Sequence, residues 1–318
     1  MSISGTSQVS NHPPSKKKVG ILGGGPWGVA LAFAAARAGA EVIMHTRRQT
    51  PHNELVGVTT DYAAVAQASL LVVAVPSTVV REVLRSLGDH LDGHHLIVHG
   101  IRGLSPDGLE AVSDVIRAET PVRRCGALGG PVQATELVHG RPSAMVVGSR
   151  YPEVVSAVND AFQSASLRVH GTHDIRGLEW ASALVGCVAI GVGFAKQAGA
   201  GPGLLAALIS TAVDECARIL VMAGAEERTM LGLGGYGDLL ASIALEHRPE
   251  VVIGQALAKG RALDEAVADA KLRVEAISLI PRIVAFAKEH RVKAPTFDIL
   301  AEILHGARPE ALIPRLFA

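Results

Sequence analysis

The feature that most constrains this chain is a glycine-rich turn at residues 23–28 with the spacing Gly-x-Gly-x-x-Gly. The turn follows the apolar run 19–22, which is typical of a buried strand, and it opens a stretch of helical periodicity at residues 30–38. A strand can turn this tightly into a helix only where side chains are absent, and the free N–H groups at such a helix start attract phosphate. The turn therefore predicts a dinucleotide site with contacts from Gly23, Gly25, Pro26, Trp27 and Gly28.

Strand and helix patterns continue to alternate beyond this turn. Apolar runs of strand length lie at residues 42–44, 70–75 and 96–98, and helical stretches lie between them at 62–68 and 78–87. This βαβαβ order predicts a doubly wound, mostly parallel sheet, which the runs 124–128, 143–148 and 166–169 would extend. We therefore expect an α/β Rossmann domain.

After about residue 177 the strand signals stop. The remaining periodicity is helical, at residues 178–197, 204–222, 238–247, 249–259 and 275–288, with a glycine-rich break at 232–237. The sequence thus predicts a flexible tail at 1–17, a dinucleotide-binding Rossmann domain at 18–176, and an all-helical substrate and dimerisation domain at 177–318.

Charge and cysteine content narrow the class of protein further. The 30 basic and 30 acidic side chains cancel, which argues against nucleic acid as a partner. The three cysteines are widely spaced among apolar residues, a pattern that favours neither a disulfide framework nor a metal site. The polar N-terminal segment lacks the apolar core of a secretory signal, and the apolar stretch 181–195 is shorter than a membrane span. We therefore expect a cytoplasmic protein.

The end of the second predicted strand bears on the choice of cofactor. An NAD enzyme of the usual kind carries an acid there for the ribose 2′-hydroxyl, whereas this chain continues with Arg47 and Arg48. The two arginines could pair with a 2′-phosphate, or they could be solvated loop charges, so NADP(H) and NAD(H) both stay open. Pro76 and Ser77, at the end of the third strand, are expected to line the nicotinamide crevice.

Beyond these patterns, the chain resembles the NAD(P)-dependent glycerol-3-phosphate dehydrogenases of the 6-phosphogluconate dehydrogenase C-terminal-like superfamily. The resemblance runs from Lys18 onward through the segments 23–32, 73–77, 102–104, 130–131, 183–184, 188–190, 206–209, 232–239 and 274–276. It implies a Rossmann domain followed by an all-helical domain. It also implies NADP(H) or NAD(H) as cofactor and the reduction of dihydroxyacetone phosphate to glycerol 3-phosphate.

The resemblance breaks at the family's catalytic positions. Members carry a Lys-Asn pair in the first C-terminal helix, where the lysine handles the hydroxyl proton, but this chain has Val185-Gly186. A valine side chain can neither donate nor accept a proton. Other exchanges place Arg102 at a lysine position, Gly203 at an asparagine, Thr211 at an arginine, and Pro249 at the asparagine that follows Arg248.

The retained polar residues have the chemistry of an anion site. Arg102 and Arg248 could clamp a phosphate or carboxylate, Asp238 could hold a substrate hydroxyl, and Ser242 is a further predicted substrate contact. Two alternatives stay open, namely that Arg248 is an exposed charge at a helix end and that Asp238 is an N-cap. Arg248 and Glu275 are also predicted cofactor contacts, and we expect Glu275 to orient or cap a helix.

The missing lysine leaves the proton donor open. His99 is one candidate, because histidine titrates near neutral pH and strand ends face the crevice; His247, beside Arg248, is another. Either histidine could equally be structural or solvated. Lys196 is a poor substitute, since a continuous helix would place it about 16 Å from Val185.

Two functions are compatible with these observations. One is a dehydrogenase that moves hydride between NAD(P)H and a small phosphorylated or carboxylated hydroxy-ketone, with dihydroxyacetone phosphate implied by the resemblance and an altered substrate as a variant. The other is a catalytically silent dinucleotide-binding protein that acts as a sensor or partner. The apolar stretches 181–195 and 204–220 also predict a homodimer through the helical domain.

Overall fold

The computed structural model describes residues 17–47, 54–106, 108–270 and 274–309. Within them, eight strands form one sheet in the order β3-β2-β1-β4-β5-β6-β7-β8. All neighbouring strands are parallel except the antiparallel pair β6 and β7. The strands are β1 (Lys18–Leu22), β2 (Glu41–His45), β3 (Val56–Thr59), β4 (Leu70–Val73), β5 (Leu96–His99), β6 (Cys125–Gly129), β7 (Ser143–Gly148) and β8 (Leu167–Thr172). This topology confirms the predicted doubly wound, mostly parallel sheet.

Helices cover both faces of the sheet and then continue without further strands in the described chain. The first six are α1 (Pro26–Arg37), α2 (Tyr62–Val65), α3 (Ser77–Gly88), α4 (Val112–Glu119), α5 (Ala134–His139) and α6 (Pro152–Phe162). The C-terminal helices are α7 (Ile175–Gln197), α8 (Pro202–Met222), α9 (Glu227–Leu231), α10 (Asp238–Ile243), α11 (Pro249–Ala258), α12 (Leu263–Ala270), α13 (Ala276–Glu289) and α14 (Pro295–Leu304). The glycine-rich break forms a π-helical turn, Leu233–Gly237, that leads directly into α10.

Two features of the sheet differ from the sequence expectation. The edge strand β3 gave no apolar signal, because it is short and carries two exposed residues, Gly57 and Val58. The antiparallel direction of β7 also went unpredicted, since an apolar run carries no information about strand direction.

The strand order reverses between β1 and β4, so a crevice opens at the carboxyl ends of these strands. The glycine turn leaves β1 at this point. The segments that follow β4 and β5 lie beside it. The fold therefore gathers the predicted cofactor turn and the predicted substrate residues at one edge of the sheet.

Helix α7 forms the axis of the C-terminal part. It is 23 residues long and apolar enough to cross a membrane, longer than the stretch 181–195 suggested, but its most apolar window is completely buried inside the protein. Helix α11 packs against it in backbone contact: a Cβ added to Gly254 would lie 2.0 Å from the Ile190 carbonyl oxygen. A Cβ added to Gly193 would likewise lie 2.4 Å from the Val251 carbonyl oxygen. These two glycines hold the first half of α11 against the C-terminal half of α7.

Candidate functional site

The glycine turn has the geometry of a phosphate cradle. Gly23 has a φ of +119°, and a Cβ added there would lie 2.4 Å from the Ala74 carbonyl oxygen. A Cβ on Gly28 would lie 1.9 Å from the Gly23 carbonyl oxygen, so both positions require glycine for the turn itself. Gly25 differs, because nothing lies within 4 Å of an added Cβ there. Gly25 is also the N-cap of α1 and provides no side-chain cap, so the first N–H groups of the helix are open to a ligand.

The carboxyl end of β2 leads to the predicted ribose site. Arg47 is exposed at this edge, whereas Arg48 lies outside the described residues. The His45 ring stacks on Tyr62 with ring centroids 4.1 Å apart, and burial lowers the pKa of its imidazole. The nearby Asp61 carboxylate already caps α2 by accepting a hydrogen bond from the Ala63 N–H at 2.9 Å. The choice between NAD(H) and NADP(H) therefore stays a prediction resting on Arg47.

Glu275 joins the C-terminal helices to the sheet edge. Its Oε1 accepts a hydrogen bond of 2.8 Å from the backbone N–H of Ser77, the first residue of α3, while Pro76 is the N-cap of that helix. The other oxygen, Oε2, is buried without a hydrogen-bond partner. A Cβ added to Gly103 would lie 1.7 Å from this oxygen, so only glycine leaves room for it. The carboxylate thus caps α3 and holds one free acceptor at the crevice.

Arg102 and Asp238 form the first of two ion pairs. Arg102 Nη1 donates to Asp238 Oδ2 at 2.5 Å, and Ser242 Oγ donates to the other Asp238 oxygen at 3.3 Å. Asp238 is fully buried and does not act as an N-cap, so that alternative is wrong. Burial alone would lower the pKa of the Arg102 guanidinium, but the attraction of Asp238, with a smaller contribution from Glu250, raises it.

Arg248 and Glu250 form the second ion pair, at the start of α11. Arg248 Nε donates to Glu250 Oε2 at 2.9 Å, and the Arg248 side chain is only 7% exposed, so it is not a solvated helix-end charge. Burial lowers the pKa of the Arg248 guanidinium, and repulsion from Arg102 lowers it further. The two predicted arginines therefore lie close enough to repel one another, but each is already paired with a carboxylate of this chain.

Val185, the position at which the resemblance implies a lysine, lies beside the second ion pair. Val185 is completely buried in the middle of α7. A Cβ added to its neighbour Gly186 would lie 3.7 Å from Glu250 Oε1. A carboxylate thus approaches Gly186, next to the position at which the resemblance implies a lysine.

The structure does not support His99 as the replacement proton donor. Its side chain is 1% exposed, and its Nε2 lies 2.9 Å from Glu179 Oε1. Its Nδ1 accepts a hydrogen bond of 3.3 Å from the Ile101 N–H. The same Glu179 carboxylate accepts hydrogen bonds from the Ser113 N–H and hydroxyl at 2.7 and 2.8 Å. Both ring nitrogens of His99 have partners inside the protein. This histidine therefore has a structural role and leaves no ring nitrogen free for a substrate.

The other two candidates for the missing proton donor are Lys196 and His247. Helix α7 is continuous from Val185 to Lys196, as predicted, and Lys196 Nζ donates to the Ile243 carbonyl oxygen at 2.7 Å. His247 is exposed. Among the residues proposed to replace the lysine, none therefore contacts the paired arginines through a hydrogen bond in the described chain.

Buried polar atoms without partners mark the crevice independently. In the described part of the chain they are Trp27 Nε1, Gln133 Nε2, Ser182 Oγ and Glu275 Oε2. Trp27 lies against Gly100 after β5, Ser182 lies against Gly129 at the end of β6, and Gln133 follows the loop that contacts Arg102. Leaving such an atom unpaired costs about 1–3 kcal/mol, so a cluster of them favours a ligand that completes the hydrogen bonds.

Sequence reasoning missed Glu250, Glu179 and Gln133. A signal for Glu250 was available, because an acid in the first turn of a predicted helix lies next to Arg248 at its start. The partnership of Glu179 with His99 joins residues 80 positions apart and needs the fold.

Comparison with known proteins agrees with this architecture. Family models described as the NAD-dependent glycerol-3-phosphate dehydrogenase N-terminus and C-terminus match residues 50–155 and 174–313. The glycerol-3-phosphate dehydrogenase (NAD(P)+) of Acinetobacter baylyi is 32% identical, over 92% of this chain and 87% of its own. That of Bacillus subtilis is 30% identical, over 95% and 94%. The crystal structure of glycerol-3-phosphate dehydrogenase from Coxiella burnetii has the same fold, with a TM-score of 0.86, 24% identity and coverage of 95% and 99%. This chain therefore belongs to the NAD-dependent glycerol-3-phosphate dehydrogenase family.

Proposed function

We propose that this protein is an NAD(P)-dependent oxidoreductase that interconverts a small hydroxy-ketone and its alcohol in the crevice at the carboxyl ends of β1, β4, β5 and β6. The observation that carries the proposal is the convergence of an open phosphate cradle at Gly25 with four unpartnered buried polar atoms at the same sheet edge. Residues 18–176 would bind the cofactor, and residues 177–318 would complete the substrate site.

The residues present fit a nicotinamide dinucleotide. Its pyrophosphate would lie on Gly23, Gly25, Pro26, Trp27 and Gly28, at the open start of α1. Arg47 would lie near the adenosine ribose, and Pro76 and Glu275 would lie near the nicotinamide, where Glu275 Oε2 offers a free acceptor. When bound, the cofactor supplies or accepts the hydride.

Arg102 would orient the substrate, and Asp238 and Ser242 would hold the Arg102 side chain in place. Its guanidinium is fixed by Asp238 and by the carbonyl oxygens of Gly130 and Val132, at 3.3 and 3.5 Å. Ser242 in turn fixes Asp238. A positioned guanidinium stabilises the negative charge that develops on a carbonyl oxygen when hydride adds to its carbon. Because the Val185 side chain cannot donate a proton, the oxygen would receive its proton from water.

A second function remains supported by one specific observation. Val185 is completely buried and leaves the family's acid/base position without a titratable group. A protein that binds the dinucleotide tightly but transfers hydride to no small ketone would be a silent sensor or partner protein.

A cofactor and turnover assay separates the two functions. Binding of NADPH and NADH would be followed by quenching of Trp27 and Trp180 fluorescence, and turnover by the absorbance of the reduced cofactor with dihydroxyacetone and with dihydroxyacetone phosphate. Binding with turnover of either ketone above the enzyme-free rate supports the oxidoreductase. Binding without turnover supports the silent protein, and absence of binding contradicts both.

A further inference from the structure

Large apolar side chains that are exposed to solvent are concentrated in one segment of the helical part. Of the eight that the described chain exposes, six lie between residues 221 and 240. Helix α9 contacts both α8 and the π-helical turn, and that turn contacts α10, so these elements are neighbours in space. We call this surface the 221–240 face, and its side chains are Val221, Met222, Leu231, Leu233, Tyr236 and Leu240.

Part of this face lies on the back of the element that holds Asp238. Tyr236 and Leu240 are four residues apart, one helical turn, and both are exposed. Asp238 and Ser242, also four residues apart, are fully buried. The same short helix therefore directs one pair of side chains at the substrate site and the other pair at solvent.

The area of the 221–240 face is that of a protein interface. Exposed fractions of 39–55% amount to roughly 500 Å² of apolar surface, near the upper end for the largest patch on a monomer. A standard interface buries about 800 Å² on each partner, of which about 60% is non-polar. The face thus supplies the apolar area that one side of a stable dimer needs.

The charge of the chain favours a second copy as the partner. With 30 basic and 30 acidic side chains the chain has no formal net charge, so two copies approach without net repulsion. The margin of the face also carries both signs, since Glu227 and Arg228 on α9 are both exposed. A two-fold interface brings the same patch together from both copies, and a margin with both signs can pair with itself.

The turn that precedes Asp238 is costly to order. Three of its five residues are glycines, Gly234, Gly235 and Gly237, and glycine loses more backbone freedom than any other residue when it is fixed. Asp238 follows directly, and its carboxylate accepts the 2.5 Å hydrogen bond that orients Arg102. A contact that fixes Tyr236 and Leu240 from outside would therefore also fix Asp238 and Arg102.

We propose that the 221–240 face is the interface of a homodimer and that dimer formation positions Asp238, and through it Arg102, for the substrate. The first part gives the association a surface that the buried helix α7 cannot provide. The second part rests on the proposed function. It makes Tyr236 and Leu240 positioning residues, because they act on the substrate site through Asp238.

Sedimentation velocity tests the interface with a matched set of variants. Leu231→Asp and Leu240→Asp would each bury an unpaired carboxylate in the interface, so dimer affinity should weaken at least about thirtyfold. Val58→Asp is the control, because Val58 on the edge strand β3 is 44% exposed, as Leu240 is, but lies outside the face. The wild type and Val58→Asp should sediment as dimers, and the other two variants should sediment as single chains with unchanged circular dichroism. A wild type of single-chain mass, or dimers that persist in both Leu231→Asp and Leu240→Asp, would overturn the interface.

Turnover per chain tests the positioning. Leu231→Asp lies in α9, outside the turn and α10, so any effect on the substrate site must come through association. Its turnover should fall at least about tenfold, and wild-type turnover per chain should fall on dilution together with the dimer fraction, while NADPH affinity stays unchanged. Undiminished turnover in a single-chain Leu231→Asp protein would overturn the positioning role. A dimeric wild type that binds NADPH and reduces no ketone would contradict the proposed function and the positioning with it, and would leave the interface standing.

Discussion

Replacing Gly25 with aspartate should weaken cofactor binding without weakening the fold. The backbone at Gly25, with φ −75° and ψ 172°, suits any residue, and an added Cβ would meet nothing within 4 Å. Aspartate is a preferred N-cap, so the change should stabilise α1 by a few tenths of a kcal/mol. Its carboxylate would nevertheless stand about 5 Å from a pyrophosphate carrying two charges. The repulsion is about 1.7 kcal/mol at the dielectric constant of water and larger inside the crevice, so affinity should fall by at least roughly fifteenfold.

The chain contains a matched control for this substitution. Gly201 is the N-cap of α8, precedes a proline as Gly25 does, has φ −72° and ψ 168°, and also has open space around an added Cβ. Gly201→Asp should leave NADPH affinity unchanged and alter the melting temperature in the same direction as Gly25→Asp. Fluorescence titration with NADPH measures the first quantity and differential scanning fluorimetry the second. Wild-type affinity in a folded Gly25→Asp protein would refute the placement of the pyrophosphate at this turn.

Three further outcomes are expected. The double substitution Val185→Lys with Gly186→Asn should raise turnover of dihydroxyacetone phosphate, because it restores a proton donor; no gain would mean that the substrate site has diverged from the family. His99→Ala should lower the free energy of unfolding in urea by about 3–5 kcal/mol, since Glu179 would lose a buried partner, whereas turnover per folded molecule should change little. A greater loss of turnover would restore His99 as a catalytic candidate. Sedimentation equilibrium should give twice the mass of the 33.0 kDa chain if the predicted homodimer forms, and a single-chain mass would contradict it.

The cofactor half of the molecule was largely predictable from the sequence. The glycine turn works through local backbone geometry, so three glycines at fixed spacing between a strand and a helix were enough to place it. The continuous apolar runs marked most strands for the same reason, because a strand covered on both faces has no room for polar residues. Membership of the family agrees with the predicted cofactor class, a nicotinamide dinucleotide.

The substrate half was predictable only in part. Arg102, Asp238, Ser242 and Arg248 do lie in one cluster, but the sequence could not show that each arginine is already paired. His99 failed as a candidate because its partner Glu179 is distant in sequence and becomes its neighbour only when α7 packs on the sheet. The dimer argument from residues 181–195 also weakened, because α7 is covered by helices of its own chain. The homodimer itself stays a prediction.

A crystal structure with bound NADPH would test the central claim most directly. The account predicts the pyrophosphate on the N–H groups that follow Gly25 and the nicotinamide beside Glu275. It also predicts that Trp27 Nε1 donates a hydrogen bond to the bound ligand and that Glu275 Oε2 accepts one from it, since neither atom has a partner in the described protein. Cofactor bound elsewhere, or a crevice in which these two atoms stay unpaired, would contradict it.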